Sequence, residues 1–179
     1  MRQILCVSAL TVLLAPVLAI AADFPLTAKN TTITFIGAKS NGKHEGGFKT
    51  VTGTASVDKG DLTSLKIALE IDMNSLFSDN PKLTTHLKSP DFFGVKSNPK
   101  SKFVTTKVEK SDAGYKITGN LTMLDKTKSI TFPAKLAIND EDGLSVVASF
   151  TIDRTQWGMT YGKGKIDDDV KLTVNIKTK

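Results

Sequence analysis

Apolar and polar residues alternate with period two along most of this chain, the pattern of strands buried on one face. Leu65, Ile67, Leu69, Ile71 and Met73 share one face, with Lys66, Glu70, Asp72 and Asn74 opposite. The alternation returns at Tyr115, Ile117, Leu121 and Met123, at Ile130 to Ile138, at Leu144 to Ile152, and at Val170 to Ile176. Shorter, less regular stretches at Thr31 to Ala38, Gly47 to Asp58 and Ser101 to Lys110 complete eight expected strands. Turn signals such as Asp58-Lys59-Gly60-Asp61 and Ser111-Asp112-Ala113-Gly114 make antiparallel neighbours. The long insertion from Ser75 to Lys100 breaks the rhythm and carries a helix-like segment, Leu83 to Lys88, between the third and fourth strands. A second irregular stretch, Thr155 to Asp168, precedes the last strand.

Eight such strands bury their apolar faces either by closing into a barrel or by stacking as a sandwich. Gly53, Ala55, Gly119, Ala134 and Ala148 fall within the apolar sets. Small residues there favour a barrel that keeps room for one small ligand.

Composition changes the picture at the N-terminus. Arg2, the apolar run from Ile4 to Ile20 and the small residues at Ala19, Ala21 and Ala22 read as an export signal, cleaved after Ala21 or Ala22. The expected organisation is therefore a signal over 1–22 and one domain over 23–179, periplasmic or secreted. Cys6 lies inside the signal, so the mature chain has no disulfide and no thiolate ligand. The charge is basic, with 24 Lys+Arg against 18 Asp+Glu, yet Arg154 is the only arginine after the signal. Dispersed lysines without arginine forks argue against nucleic-acid binding and leave open a transient contact with anionic membrane surfaces.

Several segments, in order, carry a family resemblance: Ile33-Thr34-Phe35 with Gly46-Gly47-Phe48 and Val51-Thr52-Gly53; Leu83-Thr84-Thr85-His86-Leu87-Lys88-Ser89-Pro90-Asp91-Phe92-Phe93-Gly94-Val95; Gly119-Asn120-Leu121-Thr122 with Thr127-Lys128; and Asp153-Arg154-Thr155-Gln156-Trp157-Gly158. Together they resemble the YceI-like family of lipocalin-like periplasmic polyisoprenoid-binding proteins. Gly94, Asn98 and Asp125 depart from it, standing where aspartate, tyrosine and glycine are common. The resemblance implies an all-β, eight-stranded antiparallel lipocalin-like barrel with an apolar tunnel. It implies sequestration or transport of a long-chain amphiphile: a polyisoprenoid, an isoprenoid quinone or a fatty-acid amide. It brings no cofactor beyond such a bound lipid, and homodimers are common among members.

On that reading the tunnel wall is expected from Phe35, Phe48, Leu69, Ile71, Phe92, Phe93, Leu121, Met123, Phe132, Phe150 and Trp157. Asn74, His86 and Arg154 are the candidates for a polar head group. Each has a plainer alternative: His86 can tie the helix to a strand, and Arg154 can pair with Asp153 or the Asp167-Asp168-Asp169 run. No Gly-x-Ser-x-Gly, phosphate loop or His-Glu-x-x-His occurs, so no catalytic residue is assigned. His44 and His86 lie far apart, and the acidic run lacks the ligand spacing of a calcium loop, so no metal site is expected. Two other functions remain in view: a self-filled barrel that docks on a membrane redox or stress component, and a small hydrolase or isomerase using His86.

Overall fold

The computed structural model describes residues 21–139 and 143–179, so the expected export signal lies outside the described residues except for Ala21 and Ala22. Among the described residues, alternation produces one curled antiparallel sheet with eleven strands, not the expected eight. They are β1 (Ala21–Thr27), β2 (Thr31–Lys39), β3 (Gly42–Phe48), β4 (Val51–Asp58), β5 (Lys66–Asp72), β6 (Leu76–Ser78), β7 (Lys100–Ser111), β8 (Gly114–Met123), β9 (Lys126–Asn139), β10 (Gly143–Asp153) and β11 (Ile166–Lys177). Their spatial order is β1-β4-β5-β7-β8-β9-β10-β11-β2-β3-β6.

The higher count has local causes. Asp72 caps a 3-10 turn at Met73–Ser75 by accepting from the Asn74 N–H at 2.9 Å, which separates β5 from β6. At the same level Ser75 accepts from the Lys49 N–H through its carbonyl and from the Thr50 N–H through its hydroxyl, where β3 gives way to β4. The two breaks are thus stapled together. Strand β1 was not expected at all. It contains Pro25, which forms no ladder N–H, and it lies at the end of the strand order, where that loss is tolerated.

Curling follows from register. β3 pairs with β2 on one side and β6 on the other, while its continuation β4 pairs with β1 and β5. β9 and β10 share rungs only from Gly143–Asn139 to Ala148–Ala134. The next residue on β9 is Pro133, which has no N–H to give.

The one α-helix among the described residues, α1 (Pro81–Lys88), lies between β6 and β7 of the eleven. Asn80 caps it by accepting from the Lys82 and Leu83 N–H groups at 2.9 and 3.1 Å, and Pro81 occupies the first turn, where its missing N–H costs nothing. Ser89, held extended before Pro90, ends it.

Candidate functional site

Side chains from the concave face of the sheet leave a cavity of about 310 Å³. Ile33 and Phe35 of β2, Ile71 of β5, Leu121 and Met123 of β8, Ile152 of β10 and Leu172 of β11 form its walls. Leu83, His86 and Leu87 of α1, with Phe92 and Phe93 after it, close one side, and Met159 and Ile166 from the 158–166 loop close another. A second cavity of about 70 Å³ shares Ile33, Ile71, Leu121 and Leu172 with the first and extends to Phe103, Phe132 and Phe150.

Of the expected wall residues, Phe35, Phe48, Ile71, Phe92, Phe93, Leu121 and Met123 line the larger cavity. Leu69, Phe132 and Phe150 line the smaller one. Trp157 lines neither. It is 1% exposed, and its indole N–H donates to the Leu121 carbonyl at 3.1 Å, so it packs behind the wall.

The head-group candidates divide. Asn74 is away from both cavities: its amide donates to Asp72 within the 3-10 turn. Arg154 touches the larger cavity, but all five of its N–H donors are engaged. Nε donates to the Asp167 carbonyl at 3.0 Å, Nη1 to the Met159 and Tyr161 carbonyls at 2.7 and 3.0 Å, and Nη2 to the Ile166 carbonyl and the Asp168 carboxylate at 3.3 and 3.2 Å. The guanidinium therefore organises the 158–168 segment and has no donor left for a ligand.

His86 does face the cavity. Its Nε2 bonds Asp91 Oδ2 at 2.9 Å in the turn after the helix, rather than a strand. Phe92 and Tyr161 meet its ring edge to face at 5.0 and 4.8 Å, which links α1 to the 158–166 loop across the cavity mouth. Four polar residues along the cavity were not expected, among them Ser101 of β7 and Asp167 of β11. Lys39 ends β2, and His44 lies on β3 with Nδ1 3.0 Å from Asp79. The polar stretch Gly-Lys-His-Glu hides that strand from a search for alternation. Leu172 and Ile152 were visible on alternating faces, whereas Met159 comes from a stretch without periodicity.

The small residues do not create the space. A Cβ at Gly119 would run into the Phe103 ring, and one at Gly46 into the Phe35 ring, so both glycines make room for a neighbour's phenyl group. Of the five small residues noted in the sequence, only Ala148 borders a cavity.

Asp153 starts the segment that carries Arg154. Its carboxylate accepts from the Thr155 hydroxyl and the Thr155 N–H, and these bonds hold its pKa below the ordinary value of 3.8. A depressed carboxyl contributes stability above its unfolded pKa and loses it as pH falls through the folded one. The stability difference between wild type and Asp153→Asn is therefore expected to be constant above about pH 5 and to shrink as pH falls through 3.8 and below. Urea midpoints across pH 2.5–6 measure it, and a difference independent of pH would contradict the assignment. Among the described residues no cluster of three or more His, Cys, Asp or Glu is placed to hold a metal.

A family model for the YceI-like domain matches residues 24–178. A UPF0312 protein of Serratia proteamaculans is 30% identical over 137 residues, covering 74% of this chain and 71% of its own length. One from Staphylococcus epidermidis is 30% identical over 139 residues, covering 74% and 79%. The crystal structure of BcnA from Burkholderia cenocepacia superposes with a TM-score of 0.75 at 19% identity, over 83% of this chain and 96% of that one. A polyisoprenoid binding domain from Saccharophagus degradans, implicated in plant cell wall breakdown, gives 0.68 at 11% identity over 88% and 98%. At these identities the structural likenesses concern the fold.

Proposed function

The chain belongs to the YceI-like domain family, and from that premise we propose that it is a non-catalytic binding protein that sequesters or carries one long-chain amphiphile. The apolar chain lies in the cavity and the head at the mouth. A polyisoprenoid, an isoprenoid quinone and a fatty-acid amide are the chemical classes that fit, and the polyisoprenoid binding domain among the structural neighbours supports the first. We read the eleven segments as eight strands of a lipocalin-like barrel, three of them bent, and the N-terminal stretch as the export signal that takes the domain to the periplasm.

The observation that carries this reading is the cavity itself. Protein interiors are close-packed, with few voids larger than a water molecule. At about 310 Å³ the apolar space here is far larger, and its wall forfeits the packing of a filled core. An apolar ligand recovers it. The volume falls at the lower end of the range of about 300–1,000 Å³ for ligand pockets, and a self-filled docking module has no use for it. With Arg154 saturated and Asn74 remote, the polar residues left along the cavity for a head are Lys39, His44, His86, Ser101 and Asp167.

Native mass spectrometry of protein purified from its own cell envelope, followed by organic extraction, tests the proposal. A stoichiometric isoprenoid or acyl compound is expected. Protein that emerges empty and takes up neither prenyl nor fatty-amide probes would overturn it.

A further inference from the structure

Among the described residues the buried polar side chains are Thr31, Ser101, Arg154 and Thr178. Three of them are bonded within the protein. The Thr31 hydroxyl donates to Asn30 at 3.1 Å, the Thr178 hydroxyl bonds the backbone of Leu144, and Arg154 is saturated. Ser101 is the exception. It is 3% exposed, and its hydroxyl forms no hydrogen bond to any described residue. Every sealed side-chain N or O among those residues has a partner, so the Ser101 oxygen is not sealed; it opens on the larger cavity, whose wall the residue forms. Lys100 and Lys102 on either side are exposed, which turns Ser101 inward along with Phe103. A hydroxyl in such a place forgoes the bonds it makes in water unless a ligand supplies one.

The surroundings of that hydroxyl are apolar. Ile71 of β5 is its rung partner, and Met123 of β8 follows Thr122, the partner of Lys102. Ser101, Met73 and Met123 border the larger cavity alone, whereas Phe103, further along β7, borders the smaller. A polar group held at Ser101 thus leaves the space toward Phe103 for an apolar chain. The other polar residues of the cavity are engaged or hydrated: His44 and His86 each bond an aspartate, and Lys39 and Asp167 are exposed. No cation is free beside Ser101, so a charged head there would exchange its hydration for one neutral bond, which is unfavourable.

We propose that Ser101 is the head-group contact inside the rim, and that it selects an amphiphile with an uncharged hydrogen-bonding head. An alcohol, an amide or a quinone carbonyl meets that requirement, and a phosphate does not. This rests on the binding reading above and deepens it. A hydroxyl both donates and accepts, so it serves all three neutral heads.

The experiment titrates the full mature domain with fluorescent diphenylhexatriene, a hydrocarbon without hydrogen-bonding atoms. The probe is then displaced by hexadecanamide, hexadecanol, a prenyl quinone and hexadecyl phosphate. In the wild type the neutral competitors are expected to act at lower concentration than the phosphate. Ser101→Ala weakens the neutral head that the hydroxyl bonds about fivefold, the equivalent of about 1 kcal/mol for one hydrogen bond. It leaves the probe and the phosphate within about twofold of wild type. Ser101→Thr keeps the hydroxyl and restores the preference. Because that hydroxyl bonds nothing in the protein, the urea midpoint of Ser101→Ala is expected to match or exceed that of wild type. Equal losses for probe and neutral competitors, or a lowered urea midpoint, would give Ser101 a structural role and overturn the proposal. Neutral competitors unaffected by Ser101→Ala, or a phosphate that binds wild type as tightly as they do, would overturn it too. Failure of the probe and of every competitor to bind would instead defeat the carrier reading.

Discussion

Arg154→Ala is expected to lower unfolding stability by on the order of 3–5 kcal/mol, the range for removing one member of a buried charged network. The guanidinium is buried, with only 4% of its side chain exposed, and it supplies four backbone carbonyls and Asp168 with donors. Alanine leaves those carbonyls facing a hole, and an unsatisfied buried acceptor costs about 1–3 kcal/mol. Arg154→Lys is not a rescue. Its ammonium has three donors at one point, whereas the acceptors surround a planar fork. Urea denaturation ranks the three proteins, and hydrogen exchange at 158–168 separates local release of the segment from global unfolding. Full stability in the lysine variant would refute the network. Function should follow: Met159 and Ile166 line the cavity from this segment and Tyr161 holds His86 across the mouth. A freed loop would release ligand faster.

The strands that make most of the cavity wall were legible because their alternation is uninterrupted. Ile71, Leu121, Met123 and Leu172 sit on apolar faces that any period-two reading selects. Legibility failed where a strand's fate is decided by groups outside it. β3 reads as polar, yet it is a strand because β2 and β6 flank it and because Gly46 and Gly47 let phenyl rings lie close. The breaks at 49–50 and 73–75 depend on Asp72 and Ser75 bonding to particular backbone groups, and no hydrophobic pattern encodes that. Asn74 looked like the polar end of a strand face because the break was invisible.

The candidate site shows the same limit. Alternation says which residues point inward and is silent about depth. It could not separate Phe35, beside the larger cavity, from Phe132 and Phe150, which line the smaller one. For Arg154 the sequence offered pairing with nearby aspartates or contact with a ligand. The structure adds a third role, since most of its bonds go to backbone carbonyls whose positions depend on the loop it organises. Small residues misled for a related reason. A glycine deletes volume at its own position, but a large neighbour can occupy it, as Phe103 does over Gly119.

Trp157→Ala is expected to cost about 3–5 kcal/mol, the range for truncating a fully buried tryptophan. The residue ends the 3-10 turn that follows β10, and that turn packs against β9. This is the stretch where β9, past Pro133, no longer shares rungs with β10. The indole is fully buried and reaches β8 to donate to Leu121. Two contributions are separable. Trp157→Phe keeps most of the apolar area and loses the N–H, so it should fall between wild type and alanine, about 1–3 kcal/mol below wild type. Equilibrium urea unfolding orders the series, and an alanine variant within 1 kcal/mol of wild type would show that the strands hold without the plug. Binding offers an independent readout. Leu121 borders both cavities and rests on Trp157. A folded Trp157 variant should therefore lose ligand affinity even though Trp157 itself touches neither cavity, because the wall at Leu121 is no longer held in place.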